Sequence, residues 1–367
     1  MYAKNNKTIK ITFIFILILS FIMCAIIQRN STPFNVLAVE PYRDCAELVI
    51  DVNSLRVLHE KNSDRKMYMA STTKILTAIV IIENCNLDDV VTVTPKTVGI
   101  EGSSIYLEAG EKLSVRDLLY GLMLRSGNDC AETLAIHCSG SINEFADLMN
   151  KTAQRIGAKN SNFVNPHGLH NDNHYTTAYD LGLISAYAIK NDEFKKIVST
   201  QKIEIPWTTR EYNRFLSNKN KMLKEFEGST GIKTGFTKKA GRCLVSSCER
   251  DGKEFVCVVL NCPPMFERSK ELLTEAFINY NSYNLVCSDN IVDFINVENR
   301  NEKCGVYIKK DISVAMTEEE YENYNIVYEL PDIIAQNTKK DTPIGKIKIY
   351  SGKNLLFEEN IYTIIDV

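Results

Sequence analysis

Residues 70–82 read ASTTKILTAIVII, and this stretch decides the architecture of the chain. Apolar residues follow Lys74 on nearly every face, a pattern typical of a buried helix and not of an amphipathic surface helix. Ser71 and Lys74 are three positions apart, so in a helix they lie on one face, one turn from each other. The sequence therefore predicts a hydroxyl and an amine side by side at the entrance of a buried helix.

This pair could serve chemistry or only structure. A serine becomes a good nucleophile when a base takes its proton. Lysine is such a base only when neutral, and burial, a second cation and a helix N-terminus each lower its pKa. The structural alternative is that Ser71 caps the helix. Ser63–Lys66 and Ser199–Lys202 have the same spacing, so spacing alone does not decide.

Two further motifs carry polar groups. Ser126-Gly127-Asn128 breaks two predicted helices within residues 114–138, where glycine permits a tight turn that aims both side chains outward. Lys233-Thr234-Gly235 opens a block of strands, and glycine in a strand marks close approach of backbone or ligand. A plain connecting turn and an edge-strand lysine are the structural alternatives. Ser288-Asp289-Asn290 also fits the second motif, but it follows the third.

The order S-x-x-K, S-x-N, K-T-G is the motif set of penicillin-binding proteins and β-lactamases. Over residues 40–367 the chain resembles the low-molecular-mass penicillin-binding D-alanyl-D-alanine carboxypeptidases, the S11 serine peptidases. The matching segments are YMASTTKILTA, LMLRSGNDCAETLA, NPHGLHNDNHYTTAYDL, GSTGIKTGFTKKAGRCLV and TPIGKIKIYSG.

The resemblance implies acyl transfer to water, with no metal and no cofactor. Ser71 would be the nucleophile that forms the acyl-enzyme, and Lys74 would be its base. Ser126 would relay a proton to the departing D-alanine. Asn128 would bind the substrate amide and brace Lys74.

The resemblance also implies a substrate site on the third motif. Lys233, Thr234 and Gly235 would bind the substrate, with Lys233 and Thr234 on its terminal carboxylate. The backbone N–H groups of Ser71 and Phe236 would form the oxyanion hole. The expected partners are stem peptides ending in D-Ala-D-Ala, with β-lactam antibiotics as covalent inhibitors. Lys219 stands where some relatives carry an arginine, which leaves the fine substrate preference open.

Three alternatives stay open from the sequence. A β-lactamase shares the nucleophile, but no E-x-x-L-N-like segment separates the second and third motifs. A catalytically silent wall-binding protein would keep the fold without the activity. His167, His170 and His174 have metal-ligand spacing, although structural hydrogen bonding is the default for such residues and the resemblance implies no metal there.

The composition is that of an ordinary globular protein, with 44% hydrophobic and 24% charged residues. The net charge of −3 argues against a nucleic-acid partner. Lys4, Lys7 and Lys10 precede an uncharged apolar run at residues 11–27, which predicts an exported protein. Residues 1–38 would be either a cleaved signal peptide or a membrane anchor acting through residues 11–27.

The pattern along the chain predicts an α/β (α+β) fold. We expect an antiparallel sheet flanked by helices, with an inserted helical subdomain. The resemblance implies the form of this fold that β-lactamases and transpeptidases have. The catalytic domain would span residues 39–283 and a small all-β domain residues 284–367. The predicted elements are a hairpin at 42–60, helices at 71–84, 141–157, 176–190 and 268–283, and a hairpin at 241–262.

The ten cysteines that follow the leader do not suggest a disulfide framework. The turn at Asp251-Gly252 would place Cys248 opposite Phe255 and Cys257 opposite Ser246, so no two cysteines face each other across that hairpin. We expect most of them to be reduced, small core residues.

Overall fold

Strands from distant parts of the chain form the central sheet. The structure is a computed structural model that describes residues 44–288 and 290–367. The sheet is antiparallel and has the order β2-β1-β9-β8-β7. Its strands are β1 (Ala46–Asp51), β2 (Val57–Lys61), β7 (Ser229–Thr237), β8 (Gly241–Arg250) and β9 (Lys253–Leu260). The strand that carries the third motif, β7, is therefore an edge strand.

A helical block is inserted between β2 and β7, as the sequence predicts. Its helices are α1 (Lys74–Asn84), α2 (Val115–Leu124), α3 (Asn128–Ser139), α4 (Ile142–Ile156), α5 (Ala178–Ile189), α6 (Asp192–Ser199) and α7 (Met222–Glu225). Two short strand pairs complete the block, namely β3 (Val90–Thr92) with β4 (Lys112–Ser114) and β5 (Lys202–Ile205) with β6 (Arg214–Ser217).

Helices cover both faces of the sheet. On one face Leu48 and Ile50 belong to the main core, and Gly182 of α5 lies so close that a Cβ there would be 2.2 Å from Leu48 Cδ2. On the other face lies α8 (Met265–Asn279), whose Arg268 Nη2 is 2.8 Å from the buried Glu47 carboxylate. The sheet is thus buried on both sides, which explains its nearly continuous apolar strands.

The C-terminal β region (strands β10–β17) has its own core. Its strands are β10 (Asn281–Val286), β11 (Ile291–Val297), β12 (Lys303–Tyr307), β13 (Ile312–Met316), β14 (Tyr324–Glu329), β15 (Ile333–Ile334), β16 (Pro343–Ser351) and β17 (Asn354–Thr363), with the short helix α9 (Glu318–Glu322). They form a two-stranded β10-β13 sheet and a six-stranded sheet of order β14-β16-β17-β12-β11-β15. Val306, Ile347, Ile349 and Ile361 are fully buried between them.

The predicted fold class is confirmed, but several elements differ. The helix expected at 268–283 occupies 265–279, because the asparagine-rich segment that follows has low helix propensity and enters β10 instead. The pairs β3-β4 and β5-β6 and helix α6 were not predicted. The register of the second hairpin is confirmed, with Cys248 opposite Phe255 and Cys257 opposite Ser246. All ten described cysteines carry free thiols.

The predicted leader, residues 1–38, lies outside the described residues. Within residues 44–288 and 290–367, no helix is both long and apolar enough to cross a membrane. The proposed domain limits remain predictions.

Candidate active site

Ser71 sits just before the buried helix and does not cap it. A 3-10 turn at Ala70–Thr73 leads directly into α1, and no side chain caps either helix start. Ala70 has a left-handed backbone (φ 48°), which turns the chain immediately before the nucleophile candidate. The hydroxyls of Thr72 and Thr73 donate to the carbonyls of Met69 and Ala70. Local hydrogen bonds thus shape the turn while the Ser71 hydroxyl faces Lys74.

Lys74 is fully buried and lies against Ser71. Its Nζ is 3.2 Å from Ser71 Oγ, 2.7 Å from Asn128 Oδ1 and 2.7 Å from the His167 carbonyl oxygen. No carboxylate of the described residues is within salt-bridge distance of this amine. Burial first, and the charge of Lys233 second, hold the pKa of Lys74 well below its usual range. A neutral amine beside a hydroxyl is the arrangement that a lysine base requires.

Ser126 and Asn128 occupy the break between α2 and α3. Ser126 has a left-handed backbone (φ 65°), and its Oγ is buried with no hydrogen-bond partner. Asn128 starts α3; its Oδ1 accepts from Lys74 and its Nδ2 donates to the Glu101 carbonyl oxygen at 2.5 Å. A strained serine with an unpartnered hydroxyl is costly in a folded protein, and such strain is concentrated at functional sites.

Asp129 supports this corner and was not predicted. It is fully buried, its Oδ2 accepts from Ser104 Oγ at 2.5 Å, and its carboxylate also accepts from the N–H groups of Ile105 and Leu107. These bonds fasten the segment before α2 to the start of α3. The sequence signal that could have identified Asp129 is a carboxylate at the start of a buried helix, next to Asn128.

The third motif runs along the edge strand β7 beside Ser71. A Cβ on Gly235 would lie 3.1 Å from the Ser71 backbone nitrogen, so only glycine allows the strand this close. Lys233 is 2% exposed and its Nζ donates to the Thr234 carbonyl oxygen at 2.9 Å. Burial, aided by the charge of Lys219, lowers the pKa of Lys233 to about 7.

The three motifs open onto one cleft of about 380 Å³. It is lined by Ser71, Ser103, Ser126, Lys219, Lys221, Thr234, Gly235, Phe236, Arg242, Met265 and Phe266. Ser103, Lys221, Arg242, Met265 and Phe266 were not predicted, because they come from loops and element ends with no motif spacing. The lining contains three cations and no carboxylate.

The three spaced histidines have separate partners. His174 Nδ1 accepts from the Val164 N–H, and its Nε2 is 2.8 Å from Thr73 Oγ1. Burial lowers the pKa of His174 to about 3. His167 Nε2 is 3.3 Å from Glu132, and His170 packs edge-on against Tyr68. His174 therefore holds the turn that presents Ser71, which is a structural role.

The rival Ser-x-Asn segment lies elsewhere. Ser288 is in the C-terminal β region, where its N–H and hydroxyl both donate to Asp311 Oδ1 at 2.8 Å. Asp289 lies outside the described residues.

Fold and cleft together define a serine-type hydrolase. Residues 40–263 match the family model described as Peptidase_S11, D-alanyl-D-alanine carboxypeptidase. Residues 280–367 match the C-terminal domain of penicillin-binding protein 5. The chain belongs to the S11 family of D-alanyl-D-alanine carboxypeptidases.

Individual relatives support the same family assignment. The D-alanyl-D-alanine carboxypeptidase DacF of Bacillus subtilis is 28% identical over 94% of this chain and 90% of its own length. The crystal structure of penicillin-binding protein 5 from Haemophilus influenzae has a TM-score of 0.75 at 27% identity, covering 88% of this chain and 96% of that one. The carboxypeptidase DacD of Francisella tularensis has a TM-score of 0.67 at 26% identity, covering 90% of this chain and 95% of that one.

Proposed function

We propose that the chain removes the terminal D-alanine from cell-wall stem peptides through an acyl-enzyme on Ser71. The observation that carries this assignment is the contact of Ser71 with Lys74, a buried amine whose recorded hydrogen bonds go to Ser71, Asn128 and the His167 carbonyl. An uncharged amine can take the hydroxyl proton as the oxygen attacks the carbonyl between the two D-alanines.

Negative charge then develops on the scissile carbonyl oxygen. The backbone N–H groups of Ser71 and Phe236 are proposed to receive it, since β7 passes within contact distance of the Ser71 backbone. Donors held by backbone need no reorganisation when the charge appears.

The leaving amine needs a proton before it departs. Ser126 is proposed to relay it, because its buried Oγ lines the cleft and has no partner of its own. Asn128 would bind the substrate amide while its Oδ1 braces Lys74. Water then attacks the acyl-enzyme, and Lys74 can take the proton of that water as it took the serine proton.

Several finer points accompany this proposal. Lys233, Thr234 and Gly235 would bind the D-alanine end of the substrate on β7. Penicillins, which mimic D-Ala-D-Ala, would acylate Ser71. The family acts on the cell wall, and the apolar run at residues 11–27 supports export with either a signal peptide or an anchor.

The deciding experiment measures D-alanine release from a pentapeptide and maps the penicillin adduct by mass spectrometry. The parent should release D-alanine and carry one adduct on the peptide containing Ser71. Ser71→Ala should lose both. Ser199→Ala is the matched control, because Ser199 precedes Lys202 at the same spacing but its hydroxyl is bonded to the Lys196 carbonyl. Release by Ser71→Ala at the parent rate would refute the nucleophile.

A further inference from the structure

A buried pair of thiols lies at one end of the central sheet and is not part of the cleft lining. Cys45 immediately precedes β1, and Cys262 follows the end of β9 by two residues. Neither is more than 2% exposed, and their two sulfur atoms lie within 4.8 Å of each other. Both thiols are free. The proposed reaction uses neither residue, so their pairing needs another explanation.

The pairing of β1 with β9 brings the two cysteines together. Ala46 and Leu260 are the last matched residues of these strands, and neighbouring strands lie about 5 Å apart. Cys45 and Cys262 therefore leave the sheet from the same end of one strand pair. Asn261 has a left-handed backbone (φ 51°), which interrupts the alternation of β9 and allows the Cys262 sulfur to approach Cys45.

Hydrogen bonds to other parts of the chain hold both backbones in place. The Cys45 carbonyl oxygen accepts from Asn62 Nδ2 at 2.8 Å, and the Cys262 N–H donates to the Arg242 carbonyl oxygen at 2.8 Å. Two cysteines can be bridged without backbone movement only when their backbones are already close. Because these two sulfurs are close on fixed backbones, side-chain rotation can bring them to bonding distance.

The same cluster could instead hold a metal ion, because a Glu47 carboxylate oxygen also lies within 4.8 Å of both sulfurs. That carboxylate is already engaged. Its Oε1 accepts from Arg268 Nε at 2.9 Å, its Oε2 accepts from Arg268 Nη2 at 2.8 Å, and His59 Nε2 is 3.0 Å from Oε2. A divalent cation would share this carboxylate with a guanidinium that repels it. The local charges therefore favour a bond between the sulfurs.

One of the two thiols ionises more readily than an ordinary cysteine. Hydrogen bonding with the Cys262 thiol, aided by the charges of Lys61 and Arg268, lowers the pKa of Cys45, although burial and Glu47 oppose this. The thiolate is the form that attacks a disulfide. Cys45 is therefore the sulfur that reacts first, and Cys262 is the one that completes the bond.

We propose that Cys45 and Cys262 form a disulfide that joins the start of β1 to the end of β9 in an oxidising environment. The oxidant is a disulfide of a small molecule or of another protein. The Cys45 thiolate attacks one of its sulfurs, which forms a mixed disulfide and releases one thiol. The Cys262 thiolate then attacks Cys45 Sγ and releases the second thiol. The chain loses two hydrogens and two electrons, and the oxidant gains them.

Such a bond would act on the stability of the sheet. It closes a loop of roughly 200 residues, and cross-links that close long loops restrict the unfolded chain most. Disulfides persist outside the cytoplasm, which is where the apolar run at residues 11–27 predicts that the chain is sent. The inference does not depend on the peptidase reaction.

The test uses the full chain, exported from bacterial cells and incubated with oxidised glutathione. Free thiols are labelled with N-ethylmaleimide in urea, and unreduced peptides are mapped by mass spectrometry. The peptide containing Cys45 should be joined to the one containing Cys262, and dithiothreitol should separate them. Label on both cysteines after oxidation would overturn the proposal. One bound zinc(II) ion per chain that prevents oxidation, and that Cys45→Ser does not hold, would make the cluster a metal site instead.

Stability gives a second measurement that is independent of activity. Oxidation should raise the urea midpoint of the parent, followed by tryptophan fluorescence, by about 0.5–1 M. Cys45→Ser should lose this shift. Cys257→Ala is the matched control and should keep it, because Cys257 is a buried β9 cysteine beside the Ser269 hydroxyl. An equal shift in Cys45→Ser and the parent would contradict the proposed cross-link.

A second pair of thiols has to be silenced in this comparison. Cys85 and Cys138 also adjoin each other, at the ends of α1 and α3. All proteins in the stability measurement therefore carry Cys85→Ser, so that any remaining difference between oxidised and reduced samples belongs to Cys45 and Cys262.

Discussion

The part of the chain before α8 buries charge, whereas the C-terminal β region does not. The buried charged residues are Glu47, Asp51, Lys74, Glu111, Asp129, Asp180, Arg214 and Lys233. Among the described residues of β10–β17, Thr363 is the buried polar residue and no charged side chain is buried. Burying a charge is costly unless it is paired, so each case needs a reason.

Most of these buried charges have a structural partner. Arg214 Nη1 is 2.7 Å from Glu111 Oε1, and Glu47 is held by Arg268. Lys74 and Lys233 differ from these pairs, because within the described residues neither forms a salt bridge. Burial lowers the pKa of both, and a second lysine adds to the effect in each case, Lys233 on Lys74 and Lys219 on Lys233. Structural pairs stabilise the fold, whereas burial of these two lysines costs stability and favours their neutral forms.

The largest expected effect comes from removing the Lys74 amine, which should reduce acylation strongly and stability only slightly. Lys74→Met keeps an unbranched buried side chain but removes the amine, so penicillin acylation should fall by about 10³-fold or more. Its unfolding free energy should stay within about 2 kcal/mol of the parent, since the lost donors are offset by the removed desolvation cost. Stopped-flow acylation and urea unfolding measure the two quantities.

The exposed Lys353→Met is the matched control and should change neither quantity. Normal acylation by Lys74→Met would show that another group is the base. A loss of stability much larger than expected would place Lys74 among the structural charges instead.

A substitution in the core of the C-terminal β region should do the reverse, lowering stability while leaving acylation unchanged. Ile349 is fully buried in its core, so Ile349→Ala should lower the unfolding free energy by about 2–4 kcal/mol. Acylation of Ser71, measured well below the unfolding transition, should stay within about twofold of the parent, because a core cavity in this region touches no cleft residue. Loss of acylation in the folded variant would mean that the two regions are coupled.

The contrast also explains what the sequence could predict. Alternating apolar patterns indicated the β region and the hairpin around Asp251-Gly252, because those patterns follow from burial of one face. Motif order placed Ser71, Ser126 and Lys233 in candidate positions before any geometry was known. Ser71, Ser126 and, from the third motif, Thr234 and Gly235 line one cleft, while the chemical roles of the motif residues remain proposals.

No local sequence pattern marks the remaining residues of the cleft. Arg242 enters the cleft only because β8 pairs with β7 in the observed register, and Met265 only because α8 starts there. The helix expected at 268–283 is present but spans 265–279: the asparagines that follow weaken it, and the pairing of β10 with β13, which the local sequence does not show, fixes where it ends. Tertiary pairing therefore decides what local propensity leaves open.

The smallest effect concerns the pH dependence of stability. The pKa of Lys233 is about 7 in the folded protein, against about 10.4 when unfolded. Between these values the unfolded chain holds a proton that the folded chain lacks, so stability should rise with pH over this window. Below pH 7 both states are protonated and the cost of the buried charge is fully present.

Lys233→Met should remove this slope, which is at most about 1.4 kcal/mol per pH unit. Lys74 is present in both the parent and the variant, so most of its contribution to the pH dependence of stability cancels when the two are compared. Urea unfolding at pH 7 and pH 9 can follow the fluorescence of Trp207, the single tryptophan, which lies between β5 and β6. If the unfolding free energies of the parent and the variant rise equally between pH 7 and pH 9, Lys233 keeps its proton in the folded state. A partner, and not loss of the proton, would then compensate the cost of burying it.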